Sequence, residues 1–412
     1  MRMLVRRALA ASFRTRTRRL LWLAGLLCLV PLLVRLVVLV LWTVPVFGGR
    51  LVAILNPNPV RGLAYFRDTV REVPWSMHVL KLDRARTDLE LHSILGHGNR
   101  FAMATVPEQI RFLPPAWGRP LAAVNGDLYN DHPDYQGDPK GLQIVNGELV
   151  SGPSPTRVCF WIDAAGQPHR DDVRSLFEVT WPDGEVVPFG LNEVRPDDGV
   201  VLYTTAVGDR TRTKSGLDLV LEREGEDAWL PLAIGRTYRA RIARLHEDGD
   251  APLTADTLVL SLGPDRKELR PKVQEGAVLQ LSTATSPPLV DVRTAIGGGP
   301  TLVADGRAKE WTGLRLRHPR TALGWNDEHL FLVVVDGRQL RVSAGMTFPE
   351  LADYMVKLGC QEALALDGGG SATCWAYGNV MNSPSQGRER PAANALVVVQ
   401  NRAGPKPTQP QK

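Results

Sequence analysis

Cysteine is scarce, with four in 412 residues, which excludes a disulfide-built scaffold. Cys28 falls in an apolar N-terminal run, leaving Cys159, Cys360 and Cys374, an odd number for an oxidising compartment. Cys360 and Cys374 flank one short segment and could pair; all three could equally be buried thiols. Acidic residues are absent before Asp68, and lysine is rare throughout, nine against 40 arginines. Eight of those arginines lie in residues 1–47, and the rest of the chain carries 41 basic against 44 acidic residues. The pI of about 9.1 therefore belongs to the N-terminal segment. No basic face is left for nucleic acid, so no nucleic-acid partner is expected. Internal repeats are missing, as is any linker between Pro74 and Gln400. Tight metal-ligand spacing such as H-E-x-x-H is missing too. Asp127, Asp131, His132 and Asp134 lie close together but read as a solvated acidic loop, so neither metal nor cofactor is expected.

What is present begins with seven arginines in residues 2–19, followed by an almost wholly apolar stretch over 20–47. That stretch exceeds the core of a cleaved signal peptide, and no A-x-A-like cleavage site follows it. Sixteen Leu and Val residues between 20 and 41 contribute about −0.3 to −0.6 kcal/mol each on insertion scales. Together they outweigh the roughly 2.5–3.5 kcal/mol cost of Arg35. The reading is a basic cytoplasmic segment at 1–19 and a single-pass transmembrane anchor at 20–47. A stalk rich in Gly, Pro and Arg follows at 48–74. The flanking arginines keep the N-terminus cytoplasmic and put everything after the span in the periplasm or outside the cell.

Residues 75–400 read as one α+β domain, strand-rich and mixed, with few helices, preceded by that one transmembrane helix. Alternating or fully apolar runs mark strands at 78–83, 89–95, 177–181, 200–204, 257–261, 278–281, 330–335 and 395–399. Asn146-Gly147, Asp183-Gly184, Asp305-Gly306 and Asp336-Gly337 are expected hairpin turns, since both central positions need positive φ. One helix is expected over 348–358, with Thr347 as N-cap and Gly359 as stop. The tail 401–412, rich in Pro, Gln and Lys, is expected to be disordered.

Chemistry concentrates at EALALDGGGSATC, residues 362–374. A strand runs into Asp367, so a rigid element holds the carboxylate. Gly368, Gly369 and Gly370 then let backbone approach a ligand and aim N–H groups at an anion, with Ser371 and Thr373 as hydroxyl donors. A second glycine run, Gly297-Gly298-Gly299, follows another strand. Arg320 and Thr321 open an apolar run. A guanidinium there could bind phosphate oxygens bidentately. Asn125-Gly126-Asp127 ends a further strand, and RERPAANA at 388–395, containing Arg390, leads into the last.

Taken together these segments resemble the phosphodiester glycosidase family. DGGGSAT at 367–373, PRTALG at 319–324, GGGPTLV at 297–303 and Asn125-Gly126-Asp127 carry the likeness, and Asn192 in GLNEVR matches a further segment. It covers roughly residues 75–400 in the family's order. The departure is after Asn-Gly, where family members often have an aromatic pair and this chain has Asp127-Leu128-Tyr129. The resemblance implies hydrolysis of a sugar-1-phosphate diester at the glycosidic carbon, on an envelope or extracellular glycan. Its transition state is oxocarbenium-like and needs a carboxylate nearby, while phosphate leaves readily if fixed donors hold it. Asp367 is expected as principal carboxylate, Asp127 as second carboxylate or binding residue and Arg320 as phosphate clamp. Substrate contacts are expected from Asn125, Gly126, Asn192, Gly298, Gly299 and Thr321, and from Gly368, Gly369, Gly370, Ser371 and Arg390. The alternatives are a non-catalytic receptor for phosphodiester polysaccharide and a phosphodiesterase that breaks P–O.

Overall fold

The computed structural model describes residues 60–226 and 229–401. The expected cytoplasmic segment, membrane span and tail after Asn401 lie outside the described residues, as does the first part of the stalk. Among the described residues no helix is long and apolar enough to cross a membrane. The described residues from Val60 to Asn401 form one compact unit.

Two sheets face each other and carry the site. The first has seven antiparallel strands, in spatial order Leu63–Val70, Trp75–Asp83, His329–Val335, Arg320–Trp325, Glu362–Ala365, Thr301–Ala304 and Arg307–Ala308. The second has five, in the order Asn379–Val380, Cys374–Ala376, Arg119–Asn125, Asn394–Gln400 and Leu89–Leu95. The strand His329–Val335 shows why these sequences form a layered core. Its side chains alternate across the sheet. Leu330, Leu332 and Val334 face the five-stranded sheet, packing with Leu121, Val124, Leu396 and Val398. Phe331, Val333 and Val335 face the opposite side, under Leu351 and Met355 of the helix Phe348–Lys357. Fully burying each such side chain is worth about 1.5–3 kcal/mol.

That helix sits where the sequence places it. Thr347 and Glu350 form a capping box, and Gly359 leaves the helix at φ 86°. The Gly359 and Cys360 amides close on the Val356 and Met355 carbonyls in a Schellman motif. On the other flank, the short helix Val106–Arg111 covers Ala123, Ala395 and Val397. The final strand is interior to its sheet, paired on both sides.

A second five-stranded sheet (Glu148–Ser151, Gln143–Val145, Thr294–Gly297, Cys159–Ile162, Pro168–Asp171) shares a core with an eight-stranded sheet. The eight-stranded sheet includes Arg174–Thr180, Val278–Ser286 and Leu258–Leu262.

Two expectations are corrected. Residues 63–70, expected in the stalk, are an edge strand whose whole length pairs with Trp75–Asp83. Arg67 and Asp68 hide its alternation among the Gly and Pro of the preceding segment. Asn146-Gly147 and Asp305-Gly306 do turn hairpins with both φ positive, but Asp336-Gly337 does not. Asp336 is instead buried, accepting from Ser76 Oγ at 2.9 Å and lying 2.9 Å from His78 Nε2.

Candidate active site

Two strands, Arg119–Asn125 and Glu362–Ala365, end and two, Arg320–Trp325 and Cys374–Ala376, begin around a single buried side chain. Asn125, at the end of Arg119–Asn125, is wholly enclosed and fully bonded. Its Nδ2 donates to the Asp367 carbonyl at 2.7 Å, and its Oδ1 accepts from Thr321 Oγ1 at 2.7 Å and the Thr373 amide at 3.1 Å. The Asp367 amide donates to the Gly126 carbonyl at 2.9 Å, and the Gly126 amide to Asn394. Every polar atom of Asn125 is thus used to lock Arg320–Trp325, the Asp367 loop and Cys374–Ala376 to one another. An asparagine suits this because it both donates and accepts in one plane.

Asp127 follows directly and is 1% exposed. Its amide donates to Asn394 Oδ1 at 2.7 Å, and its Oδ1 accepts from the Leu128 amide at 2.7 Å and pairs with Arg157 Nη2. Its Oδ2 has no partner, nor has the buried Nε of Arg157. The carboxylate lies against two backbones that have no room for a side chain. A Cβ on Gly297 would stand 2.3 Å from Oδ2, and one on Gly141 2.9 Å. Burial pushes the Asp127 carboxyl up to about 6, despite Arg157 and the Leu128 amide; the charge of Asp367 adds to the rise.

Asp367 is 7% exposed. Burial raises its carboxyl, opposed by Ser371, by Arg390, by the Gly368 amide and by Arg157. Arg390 donates to Ser371 Oγ from Nη2 at 2.6 Å and from Nε at 3.1 Å, and its Nη2 lies 3.4 Å from Asp367 Oδ2. Two carboxylates that sense each other, each with a guanidinium partner, therefore occupy one crossing of strands.

The structure redistributes several expected roles. Thr321 points into the site and Arg320, its neighbour on the same strand, points away. Arg320 Nε donates to the Met346 carbonyl and Nη2 to the Leu316 carbonyl, both at 2.9 Å, and the guanidinium lies 4.0 Å over the Phe348 ring. Burial, with Arg338 nearby, lowers its pKa to about 10. The guanidinium beside Asp367 is that of Arg390. Asn192 is enclosed in a different part of the fold, bonded to the Val150 carbonyl and Thr204 Oγ1, both at 2.9 Å. The amides of Gly298, Gly299 and Gly369 donate to the carbonyls of Val158, Ala365 and Pro319, so these three are not free to hold an anion. What the glycines allow is close approach: a Cβ on Gly368 would meet the Pro319 carbonyl at 2.6 Å, and one on Gly370 would meet Arg390 Nε at 3.2 Å. Arg157 and Arg338 went unread in the sequence, where each is a lone arginine outside any motif. Arg338 Nη2 lies 3.1 Å from His318 Nδ1 and stands beside Gly369.

Among the described residues no cluster of three His, Cys, Asp or Glu side chains could hold a metal ion. Asp131 and His132 are exposed, and Asp134 pairs with Lys214 at 3.2 Å. Cys159, Cys360 and Cys374 are buried free thiols.

Residues 247–399 match the phosphodiester glycosidase family. The matched segment contains Arg320, Asp367 and Arg390, while Asp127 and Arg157 precede it. Over 112 residues the chain is 35% identical to the SPbeta prophage-derived uncharacterized protein YomE of Bacillus subtilis. That stretch is 26% of this chain and 17% of YomE, so the likeness spans about a sixth of the relative. The fold is shared with solved structures. A hypothetical protein from Synechocystis superposes with a TM-score of 0.65 at 19% identity, over 82% of this chain and 62% of that one. A protein of Burkholderia pseudomallei gives 0.61 at 22% identity, over 79% of this chain and 74% of that one.

Proposed function

We propose that this chain is an exported, membrane-anchored hydrolase that cleaves a sugar-1-phosphate diester between the anomeric carbon and its oxygen. The observation that carries the reading is the pair of buried carboxylates, Asp127 and Asp367, at one strand crossing, each with its own guanidinium. Positive charge grows on the anomeric carbon as the C–O bond breaks, and the Asp367 carboxylate stabilises it. The bonding electrons leave with the phosphomonoester, whose oxygens Arg390 is placed to hold beside Ser371. Asp127, with a carboxyl pushed up to about 6, has the proton affinity of a base that can take the proton of an attacking water near neutral pH. The N-terminal arginines and the apolar stretch over 20–47 support the anchor and the exported location.

Hydrolysis of a panel of sugar-1-phosphodiesters in ¹⁸O-water tests the reading. Label in the released sugar is the expected result. Label in the phosphate means P–O cleavage, and tight binding without turnover means a receptor; either overturns it.

A further inference from the structure

Among the described residues ten large apolar side chains stand exposed, and four of them, Leu314, Leu316, Leu340 and Val342, fall on two adjoining loops. The three most exposed among the described residues are Leu340 at 97%, Leu314 at 81% and Leu316 at 55%. They lie on two loops, and Val342 joins them. The loops are bound side by side. His318 and Met346 exchange backbone hydrogen bonds, and Arg338 Nη2 lies 3.1 Å from His318 Nδ1. Both loops are also held in shape. Trp311 Nε1 donates to the Leu314 carbonyl at 3.1 Å, and Arg320 Nη2 to the Leu316 carbonyl. Gln339 and Ser343 close a turn whose tip is Leu340, Arg341 and Val342. Arg320, turned away from the carboxylates, thus serves as a strut for this surface.

The leucines alternate with arginine, in Leu314-Arg315-Leu316-Arg317 and Leu340-Arg341-Val342. Residues 307–320 and 338–346 hold seven Lys and Arg against the single acid Glu310, whereas residues 48–412 as a whole carry 41 against 44. Arg317 pairs with Glu350, while Arg315, Arg338 and Arg341 have no carboxylate partner among the described residues. Exposed leucine flanked by unpaired arginine is the chemistry that enters an anionic lipid surface. The apolar side chains reach the acyl boundary and the guanidinium groups meet the headgroup phosphates.

We infer that the rim formed by residues 311–318 and 338–342 docks on an anionic lipid bilayer. The same rim bears Arg338 beside Gly369, so docking sets the loop that follows Asp367 near the headgroup layer. If the proposed function holds, a phosphodiester presented at the membrane surface is then within its reach. The docking itself does not depend on that activity.

The test uses the full chain in nanodiscs of phosphatidylcholine, with or without phosphatidylglycerol. An environment-sensitive fluorophore is placed at Leu314→Cys, Leu340→Cys or, as control, Val186→Cys, an exposed position on the eight-stranded sheet. Cys159, Cys360 and Cys374 are buried, and the labelled parent chain sets the background. Nitroxide lipids should quench the fluorophore at Leu314→Cys and Leu340→Cys in anionic discs and leave Val186→Cys unquenched. Arg315→Ala and Arg341→Ala should each weaken docking about fivefold, as expected for one basic residue at an anionic surface. Absence of quenching at both positions overturns the inference, as does equal quenching at Val186→Cys or no dependence on anionic lipid. Because no turnover is measured, an inactive protein leaves this test intact.

Discussion

Replacing Gly297 by alanine would put a methyl carbon 2.3 Å from Asp127 Oδ2 and 2.7 Å from the Gly141 Cα. Ordinary contact begins near 3.4 Å, so about 1 Å of movement is required, and neither neighbour yields easily. Gly141 is backbone, and Asp127 is held by the Leu128 amide and Arg157. Overpacking of this kind costs about 1–3 kcal/mol. Moving a reacting carboxylate by about 1 Å costs on the order of 100-fold in rate. The adjacent positions are internal controls. A Cβ on Gly298 meets Leu364 Cδ1 at 2.3 Å, a core side chain and not a reacting group, and one on Gly299 meets nothing closer than 3.4 Å. Turnover of a sugar-1-phosphodiester should fall steeply in Gly297→Ala, modestly in Gly298→Ala and hardly in Gly299→Ala, while urea melts should show both Gly297→Ala and Gly298→Ala destabilised relative to Gly299→Ala. Equal losses across the three, or near wild-type turnover in Gly297→Ala, would refute the placement of Asp127 against this loop.

Asp367→Asn keeps the side chain's size and removes the charge that faces the developing cation. Its loss should appear in kcat by about 100-fold or more with KM little changed; intact kcat would shift the role to Asp127. Arg390→Gln should raise KM for the charged diester about tenfold, since part of the phosphate grip exists in the bound ground state. Arg320→Gln should leave KM within about twofold and instead cost about 1–2 kcal/mol in denaturant melts, because it removes the hydrogen bond to the part-buried Met346 carbonyl, the one to the exposed Leu316 carbonyl and the contact over Phe348. Reversed behaviour of the two arginines would restore Arg320 as the clamp. Asp138, 2% exposed, has a carboxyl pushed up to about 7 by burial, although Asn130 donates to it at 2.7 Å. The folded state keeps a proton that the unfolded chain releases above its ordinary 3.8, so this contribution is full below that value and lost as pH rises through 7. Asp138→Asn removes the titration and should gain about 2 kcal/mol on wild type between pH 5 and 7. Parallel stability curves would contradict the assignment.

Local signals in the sequence determined a good deal. A capping box, an apolar face and a terminal glycine define Phe348–Lys357 within the chain's own neighbourhood, so no tertiary contact is needed to read it. The run of Val and Ala before the polar tail likewise marks the last strand, and Asp367 followed by three glycines marks a carboxylate on a rigid element. Partners were another matter. Arg157 lies 30 positions from Asp127, and only the pairing of Thr294–Gly297 between Gln143–Val145 and Cys159–Ile162 brings them together. Arg320 and Thr321 belong to one motif, yet neighbours on a strand face opposite sides of the sheet. Once Thr321 bonds Asn125, Arg320 must point to Phe348, and the guanidinium beside Asp367 comes from Arg390 on a distant loop. Side-chain direction depends on which sheet face is inward, and that is fixed by strand pairings between residues hundreds of positions apart, which only the tertiary structure decides.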